Sequence, residues 1–192
     1  MPSVLDLSPQ QAHQRLVAIL KEKSYQKRKV VLSSGRISDF YVDGKQTTLH
    51  AEGAALIGRL VVDKIRAVGD IVAVGGLTLG ADPIATAASV LSTMDGGPPI
   101  HAFIVRKESK GHGTGAYIEG RDNLPQGAKV TIVEDTSTTG ASAYRAVERA
   151  RAAGYEVAQV ITIVDRQEGA AQYFADRDLT LESLVMRQEL EN

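Results

Sequence analysis

Ten consecutive residues, Val133-Glu134-Asp135-Thr136-Ser137-Thr138-Thr139-Gly140-Ala141-Ser142, carry the densest chemistry in the chain. A β-branched, apolar run from Val130 to Val133 ends in two adjacent carboxylates, and four hydroxyl residues follow. Gly-Ala-Ser then leads into an Ala- and Arg-rich stretch with helical spacing. The pattern predicts a strand, a hydroxyl-rich turn and a helix N-terminus, where backbone N–H groups and the helix dipole gather a phosphate. Carboxylates beside such a cradle repel the anion unless they face sugar hydroxyls or a hydrated cation. Phosphate, diol and cation together describe a ribose phosphate. An ordinary turn with Asp or Thr as N-cap explains one acid and one hydroxyl, but not two acids and four hydroxyls. No Gly-Lys-Ser/Thr follows the strand and no Gly-x-Gly-x-x-Gly is present, which excludes a P-loop and a dinucleotide fingerprint.

A second segment, Arg106-Lys107-Glu108-Ser109-Lys110-Gly111-His112-Gly113-Thr114-Gly115, holds three cations, a histidine and glycine at alternate positions. Its composition predicts a mobile basic lid over a polyanion, against the blander reading of a solvated charged loop. Gly75-Gly76-Leu77-Thr78-Leu79-Gly80 allows either close backbone approach to a ligand or close packing within the fold. Arg166, after Val164-Asp165, is placed for a bidentate contact to a planar acceptor or for an ion pair with Glu168. Ser33 to Tyr41 reads as a surface hairpin with no assignable role. His13, His50 and His101 lack metal-ligand spacing.

Composition bounds the possibilities. The net charge of −1 gives no global field for nucleic acid or an anionic membrane, so any anion site must be local. The chain has no cysteine, which excludes thiolate zinc sites and cysteine nucleophiles. Aromatic content of 5% argues against a base-stacking platform for single strands. No secretory leader or membrane-length apolar stretch is present, so a cytoplasmic protein is expected.

The elements that must position these groups follow from periodicity. Ser8-Pro9 starts a helix that runs to about Lys23. Lys29 to Leu32 and Phe40 to Asp43 are short β-prone runs around the turn Ser34-Gly35-Arg36. Ala51 to about Ala67 is helical, with Ile57, Val61 and Ile65 at spacing four. Strands are expected at Ile71–Val74, Ile100–Val105, Val130–Val133 and Val157–Val164. Helices are expected from Pro83 to about Leu91 and from Thr139 to about Ala153. The tail from about Leu179 to Met186 fits a strand or a helix. Alternating elements and near-continuous apolar strands predict an open, doubly wound, mainly parallel α/β sheet. Ligands bind such sheets at the carboxyl ends of the strands. Gly75-Gly76, Arg106-Lys107, Glu134-Asp135 and Asp165-Arg166 would all lie there.

Taken together, these residues resemble an orotate phosphoribosyltransferase. Val133 to Gly140 is similar to the phosphoribosyl-diphosphate motif of the type I phosphoribosyltransferases. Arg106-Lys-Glu-Ser-Lys-Gly-His-Gly113 resembles the orotate family's catalytic loop, and Leu32 to Tyr41 its N-terminal hood motif. Asp165-Arg166-Gln167-Glu168 matches its last strand end. The resemblance runs from about Leu32 to Glu168. It implies the type I phosphoribosyltransferase fold, a single domain over residues 1–192 with about 1–50 forming a small hood, and phosphoribosyl transfer to orotate with Mg²⁺. It implies that Thr136, Ser137, Thr138, Thr139, Gly140, Ala141 and Ser142 hold the 5′-phosphate, and that Glu134 and Asp135 face the ribose hydroxyls. Arg106, Lys107, Lys110 and His112 would bind the diphosphate. Thr138, Arg166, Phe40 and Tyr41 would meet orotate, with the Phe40-Tyr41 region stacking on it or capping it. Lys110 and Asp135 are the catalytic candidates. The magnesium would be bound mainly through the substrate, and the 106–115 loop would be shared across a homodimer, with no nucleic-acid or membrane partner. Ser33 stands where many relatives carry a lysine, and Thr78-Leu79 where some carry Tyr-Lys. A transferase for another base and a non-catalytic phosphoribosyl-diphosphate sensor are the alternatives; the intact basic lid argues against the sensor.

Overall fold

The structure, a computed structural model, describes residues 3–31, 37–109 and 117–192, with the side chains of Val31 and Ile37 left aside. Helix α1 spans Pro9–Lys23. It starts where expected because Ser8 Oγ accepts from Gln11 N at 3.2 Å while the Gln11 side chain accepts from Ser8 N at 2.9 Å. Four two-residue strands follow, β1 (Tyr25–Gln26), β2 (Val30–Val31), β3 (Ile37–Ser38) and β4 (Tyr41–Val42). The short helix α2 (Lys45–Thr48) and the long α3 (Ala51–Val68) come next. His50 caps α3, its Nδ1 accepting from Gly53 N at 3.3 Å.

The remaining elements are β5 (Ala73–Leu77), α4 (Asp82–Ser92), β6 (His101–Val105), β7 (Ile118–Glu119), β8 (Lys129–Ser137), α5 (Ala141–Ala152), β9 (Glu156–Asp165), α6 (Ala170–Ala175), β10 (Leu181–Met186) and α7 (Arg187–Glu191). The main sheet has the order β10-β9-β8-β5-β6-β7, parallel throughout except for the β6–β7 pair. The expected mainly parallel α/β sheet is therefore present. One apolar core joins α1, α3 and α4 to one face through Val74, Val133 and Ile161. A second joins α5 and α6 to the other face through Ala73, Ile132 and Phe103. Among the described residues, no helix is long and apolar enough to cross a membrane.

From β5 the chain steps outward to β6, then returns to the other side of β5 as β8. The direction of winding thus reverses between β5 and β8, and a crevice opens at their carboxyl ends.

Four sequence-based expectations need correction. Glu134-Asp135 does not follow a strand but lies inside one. The polar switch at Glu134 suggested an end, yet the main-chain ladder with β9 continues to Thr136↔Val164 and Ser137↔Asp165. Gly75-Gly76 likewise sits within β5. A Cβ on Gly75 would fall 2.3 Å from Phe103 O, and one on Gly76 2.2 Å from Val133 O, so both glycines serve strand packing. The two β-prone runs near the hood do not pair with each other. Val30–Val31 pairs with Ile37–Ser38, while Tyr41–Val42 pairs back to Tyr25–Gln26. Phe40, expected near the surface, is buried. The tail resolves into a strand, β10, held parallel to β9 from Leu181↔Val160 to Met186↔Asp165, followed by α7.

Candidate active site

At the carboxyl end of β8 the polar residues gather around the reversal in winding. Glu134, Asp135 and Thr136 are partly buried and Ser137 is buried. Thr136 Oγ1 and Ser137 Oγ are buried without a hydrogen-bond partner among the described residues. Buried hydroxyls without partners are costly, and these two lie just ahead of a helix start. The chain then turns through Gly140, at φ +82°, into α5. The Gly140 Cα faces the Phe174 ring, where an added Cβ would come within 2.9 Å. Tyr144, Tyr173 and Phe174 form edge-on aromatic pairs behind this turn. The α5 N-terminus, with Ala141 and Ser142, therefore rests on a firm wall and directs its free N–H groups outward.

Burial raises Glu134 to about 7, and the Asp135 charge pushes in the same direction. A hydrogen bond from Ser142 and the Arg145 cation oppose the rise. Burial also raises Asp135, opposed by Lys45 and by its backbone hydrogen bonds. Thr136 N donates to Asp135 Oδ1 at 2.9 Å, and Lys45 Nζ lies 3.9 Å from Oδ2. Lys45 also pairs with Asp43 at 3.1 Å. Two loops close on Asp135: an added Cβ on Gly44 would meet Asp135 Cβ at 2.9 Å, and one on Gly80 would meet Oδ1 at 2.8 Å. Side chains at either position would displace the carboxylate.

Beyond β9, Arg166 is only 3% exposed. Its Nε donates to Glu168 Oε1 at 2.9 Å and its Nη2 donates to Ser38 Oγ at 3.1 Å. The guanidinium lies 4.2 Å from the Phe40 ring centroid. The ion pair with Glu168 and a ligand role are compatible, because no described residue engages Nη1. Phe40 offers no open face for stacking, since Arg187 also lies over its ring at 4.0 Å. Tyr41 is half-buried, with Arg28 5.0 Å from its ring centroid.

Arg106 follows β6, and its Nη1 pairs with Glu119 Oε1 at 3.0 Å. None of its hydrogen bonds to described residues reaches Glu134 or Asp135. Lys107 is exposed, and its carbonyl accepts from Arg149 Nη2 at 3.0 Å. Arg149 also donates to the Arg106 carbonyl and stacks on Tyr117 at 4.1 Å. Lys110 and His112 lie outside the described residues. Thr138 is partly buried and Thr139 exposed in the turn before Gly140. Sequence reasoning missed Lys45, Ser38 and Arg187. Only Asp43-Gly44-Lys45 carried a local signal, a glycine–lysine step directly after a β-prone run.

Among the described residues, no group of three His, Cys, Asp or Glu side chains could cage a metal. Carboxylate oxygens such as those of Glu134 and Asp135 are the hard donors that a hydrated Mg²⁺ delivered with a polyphosphate takes.

A parallel sheet with a reversal in winding, an acidic pair at its carboxyl edge and a phosphate-directed helix start define a type I phosphoribosyltransferase fold. No protein-family model matches the chain. It is 48% identical over 190 residues to an orotate phosphoribosyltransferase of Nostoc sp., covering 99% of this chain and 89% of the relative. The crystal structure of Mycobacterium tuberculosis orotate phosphoribosyltransferase with Fe(III) dicitrate superposes with a TM-score of 0.81 at 43% identity, covering 94% of this chain and 99% of that one. The same enzyme in complex with 5-phospho-α-D-ribosyl 1-diphosphate gives a TM-score of 0.76 at 41% identity, again covering 94% and 99%. The chain belongs to the orotate phosphoribosyltransferase family.

Proposed function

We propose that this chain transfers the 5-phosphoribosyl group of 5-phosphoribosyl 1-diphosphate to N1 of orotate, giving orotidine 5′-monophosphate and diphosphate. The observation that carries this reading is the Glu134–Asp135 pair beside the unpartnered hydroxyls of Thr136 and Ser137, just ahead of the α5 N-terminus. Amides and hydroxyls from Thr136 to Ser142 hold the 5′-phosphate, while Glu134 and Asp135 accept from the ribose hydroxyls. Arg166 meets orotate through its Nη1 edge, with Thr138 nearby and Tyr41 as a cap. Phe40 supports Arg166 instead of stacking on the base. Arg106, Lys107, Lys110 and His112 bind the diphosphate.

Cleavage of the C1–diphosphate bond leaves positive charge on the ribose and negative charge on the departing group. Asp135 and Glu134, acting beside the ribose, favour the cationic sugar. Basic groups that gain contact with the leaving oxygens lower the barrier, commonly by a few kcal/mol each. Closing off the crevice keeps water from the cationic ribose. Mg²⁺, when bound, neutralises diphosphate charge, with Glu134 and Asp135 as the residues that would hold its hydration shell. No side-chain nucleophile is required.

The reading extends to a homodimer. Leu49 is 72% exposed and Leu79 70%, and both line a groove of about 720 Å³ with Ala54, Ala87, Val90 and Leu91. Lys45 and Asp82 line the same groove, so this apolar face is continuous with the acidic site. A second copy is the occupant that would bury it and bring its own 106–115 loop to this site.

The direct test mixes protein, Mg²⁺, 5-phosphoribosyl 1-diphosphate and orotate and follows the ultraviolet absorbance of orotate. Turnover with orotate is expected. A folded protein that leaves orotate unchanged but releases diphosphate with adenine, guanine, xanthine or uracil would overturn the assignment of the acceptor.

A further inference from the structure

The C-terminal helix enters the acceptor side of the site through one ring. Arg187, the first residue of α7, lies 4.0 Å from the Phe40 centroid, and Arg166 lies 4.2 Å from the same centroid. Phe40 is 1% exposed and its own neighbour Ser38 donates to Phe40 O at 3.0 Å while accepting from Arg166 Nη2. Arg187 is fixed in turn, donating from Nε to Glu191 Oε1 at 2.7 Å and from Nη2 to Asp39 Oδ1 at 3.3 Å. The helix itself is docked: Leu190 is buried in the core, Glu189 pairs with His13 at 3.1 Å, and Gln188 N donates to Gln167 Oε1 at 3.2 Å. Gln167 is the residue directly after Arg166, so α7 grips both the ring under Arg166 and the turn that carries it.

A guanidinium over an aromatic face is held in plane by the ring quadrupole, more strongly where water is excluded. A ring with a second cation on it is likewise fixed against rotation and tilt. Arg166 has Glu168 to hold its Nε edge. Ser38 Oγ holds Nη2 as well, so two partners fix that edge of the guanidinium, and the surface its plane rests on is Phe40.

We propose that Arg187 is a positioning residue for the acceptor base, acting through Phe40 to set the plane of Arg166. The assignment rests on the reading that Arg166 contacts orotate. Arg187 itself touches no substrate. Its removal lets Phe40 and the Asp39 loop shift, so Arg166 meets the planar acceptor less often in the right orientation, while the phosphoribosyl-diphosphate side is untouched.

The test is a set of steady-state measurements on the full-length protein. Arg187→Leu is expected to raise KM for orotate about ten-fold, the scale of one cation–π contact, and to leave KM for 5-phosphoribosyl 1-diphosphate within about two-fold. Arg187→Lys keeps a cation near the ring and should recover most of the loss. In a Phe40→Leu background, Arg187→Leu should add little, because the ring that transmits the effect is gone. Equal increases in both KM values, or an Arg187→Leu effect of the same size with and without Phe40, would overturn the proposal and show a general structural role. Arg166→Met separates the two levels. If it raises the orotate KM while Arg187→Leu does not, the positioning role alone fails. If Arg166→Met leaves the orotate KM unchanged, the acceptor site was misassigned and the positioning role falls with it.

Discussion

Lys45 Nζ stands 3.9 Å from Asp135 Oδ2, joining the start of the short helix α2 to the carboxyl end of the central strand β8. It is the described cation in ion-pair range of the acidic pair, and it offsets part of the cost of burying Asp135. The backbone makes this approach possible because Gly44, one residue earlier, rests on Asp135 without a side chain between them. The contact connects the N-terminal segment to the site, and its local hint in the sequence is the Gly44-Lys45 step alone.

Replacing Lys45 by Met should therefore push Asp135 further up. If the ionised carboxylate is the form that faces the ribose, the acid limb of kcat/KM for 5-phosphoribosyl 1-diphosphate moves to higher pH. A pH profile of the variant against the parent measures this. An acid limb that stays put would show that Lys45 does not govern Asp135.

Glu134 makes the unliganded protein sensitive to pH in the opposite sense from a paired surface carboxylate. Its folded value of about 7 lies above the ordinary 4.5, so the folded state binds more protons than the unfolded state between those values. The stabilising contribution is complete below about pH 4.5 and is lost as pH rises through 7. Urea denaturation between pH 5 and 8 should show a loss on the order of 2 kcal/mol that Glu134→Gln does not share. Asp135 contributes in the same direction in both proteins and cancels from the comparison. Parallel curves for the two proteins would remove Glu134 as the source.

What sequence could and could not reveal follows from the range of the forces involved. Helix α1 was legible to the residue because its boundary is set locally, by Ser8, Pro9 and Gln11. The end of β8 was misread because pairing with β9 carries the ladder through Glu134, Asp135 and Thr136 whatever their polarity. The acidic pair and the helix start after Gly140 were legible as chemistry, since both arise from neighbours in the chain. Lys45 and Arg187 were not, because each gains its meaning from a partner far away in sequence. Phe40 looks like a surface aromatic in the sequence for the same reason: a hairpin pattern says nothing about the two arginines that lie against the ring.

Gly140 sets the geometry of the phosphate turn. Its φ of +82° disfavours any side chain, and an alanine Cβ would press on the buried Phe174 ring at 2.9 Å. Gly140→Ala should cost about 1–3 kcal/mol of stability and tilt the first turn of α5. Isothermal titration with ribose 5-phosphate should show weakened binding of at least about ten-fold, because the N–H groups no longer converge on the phosphate. Unchanged affinity in a destabilised variant would place the phosphate elsewhere.

The shared loop can be tested without locating Lys110 in space. Lys110→Ala removes a leaving-group cation from the loop, and Asp135→Asn removes a carboxylate from the crevice, so each variant alone should lose most of its turnover while remaining folded. If the loop serves the crevice of its own chain, a mixture of the two contains no site with both groups intact. If it serves the second copy, each mixed dimer pairs the Asp135 of one chain with the Lys110 of the other in one of its two sites. Random exchange makes half of the dimers mixed, so activity should return to about a quarter of the parent level. The recovery should depend on exchange, appearing after brief mild denaturation and refolding together and not after mixing at low temperature. Leu79→Asp in the apolar groove should abolish both the dimer, seen by sedimentation, and the recovered activity. Recovery of activity by a chain that sediments as a monomer would contradict the shared loop.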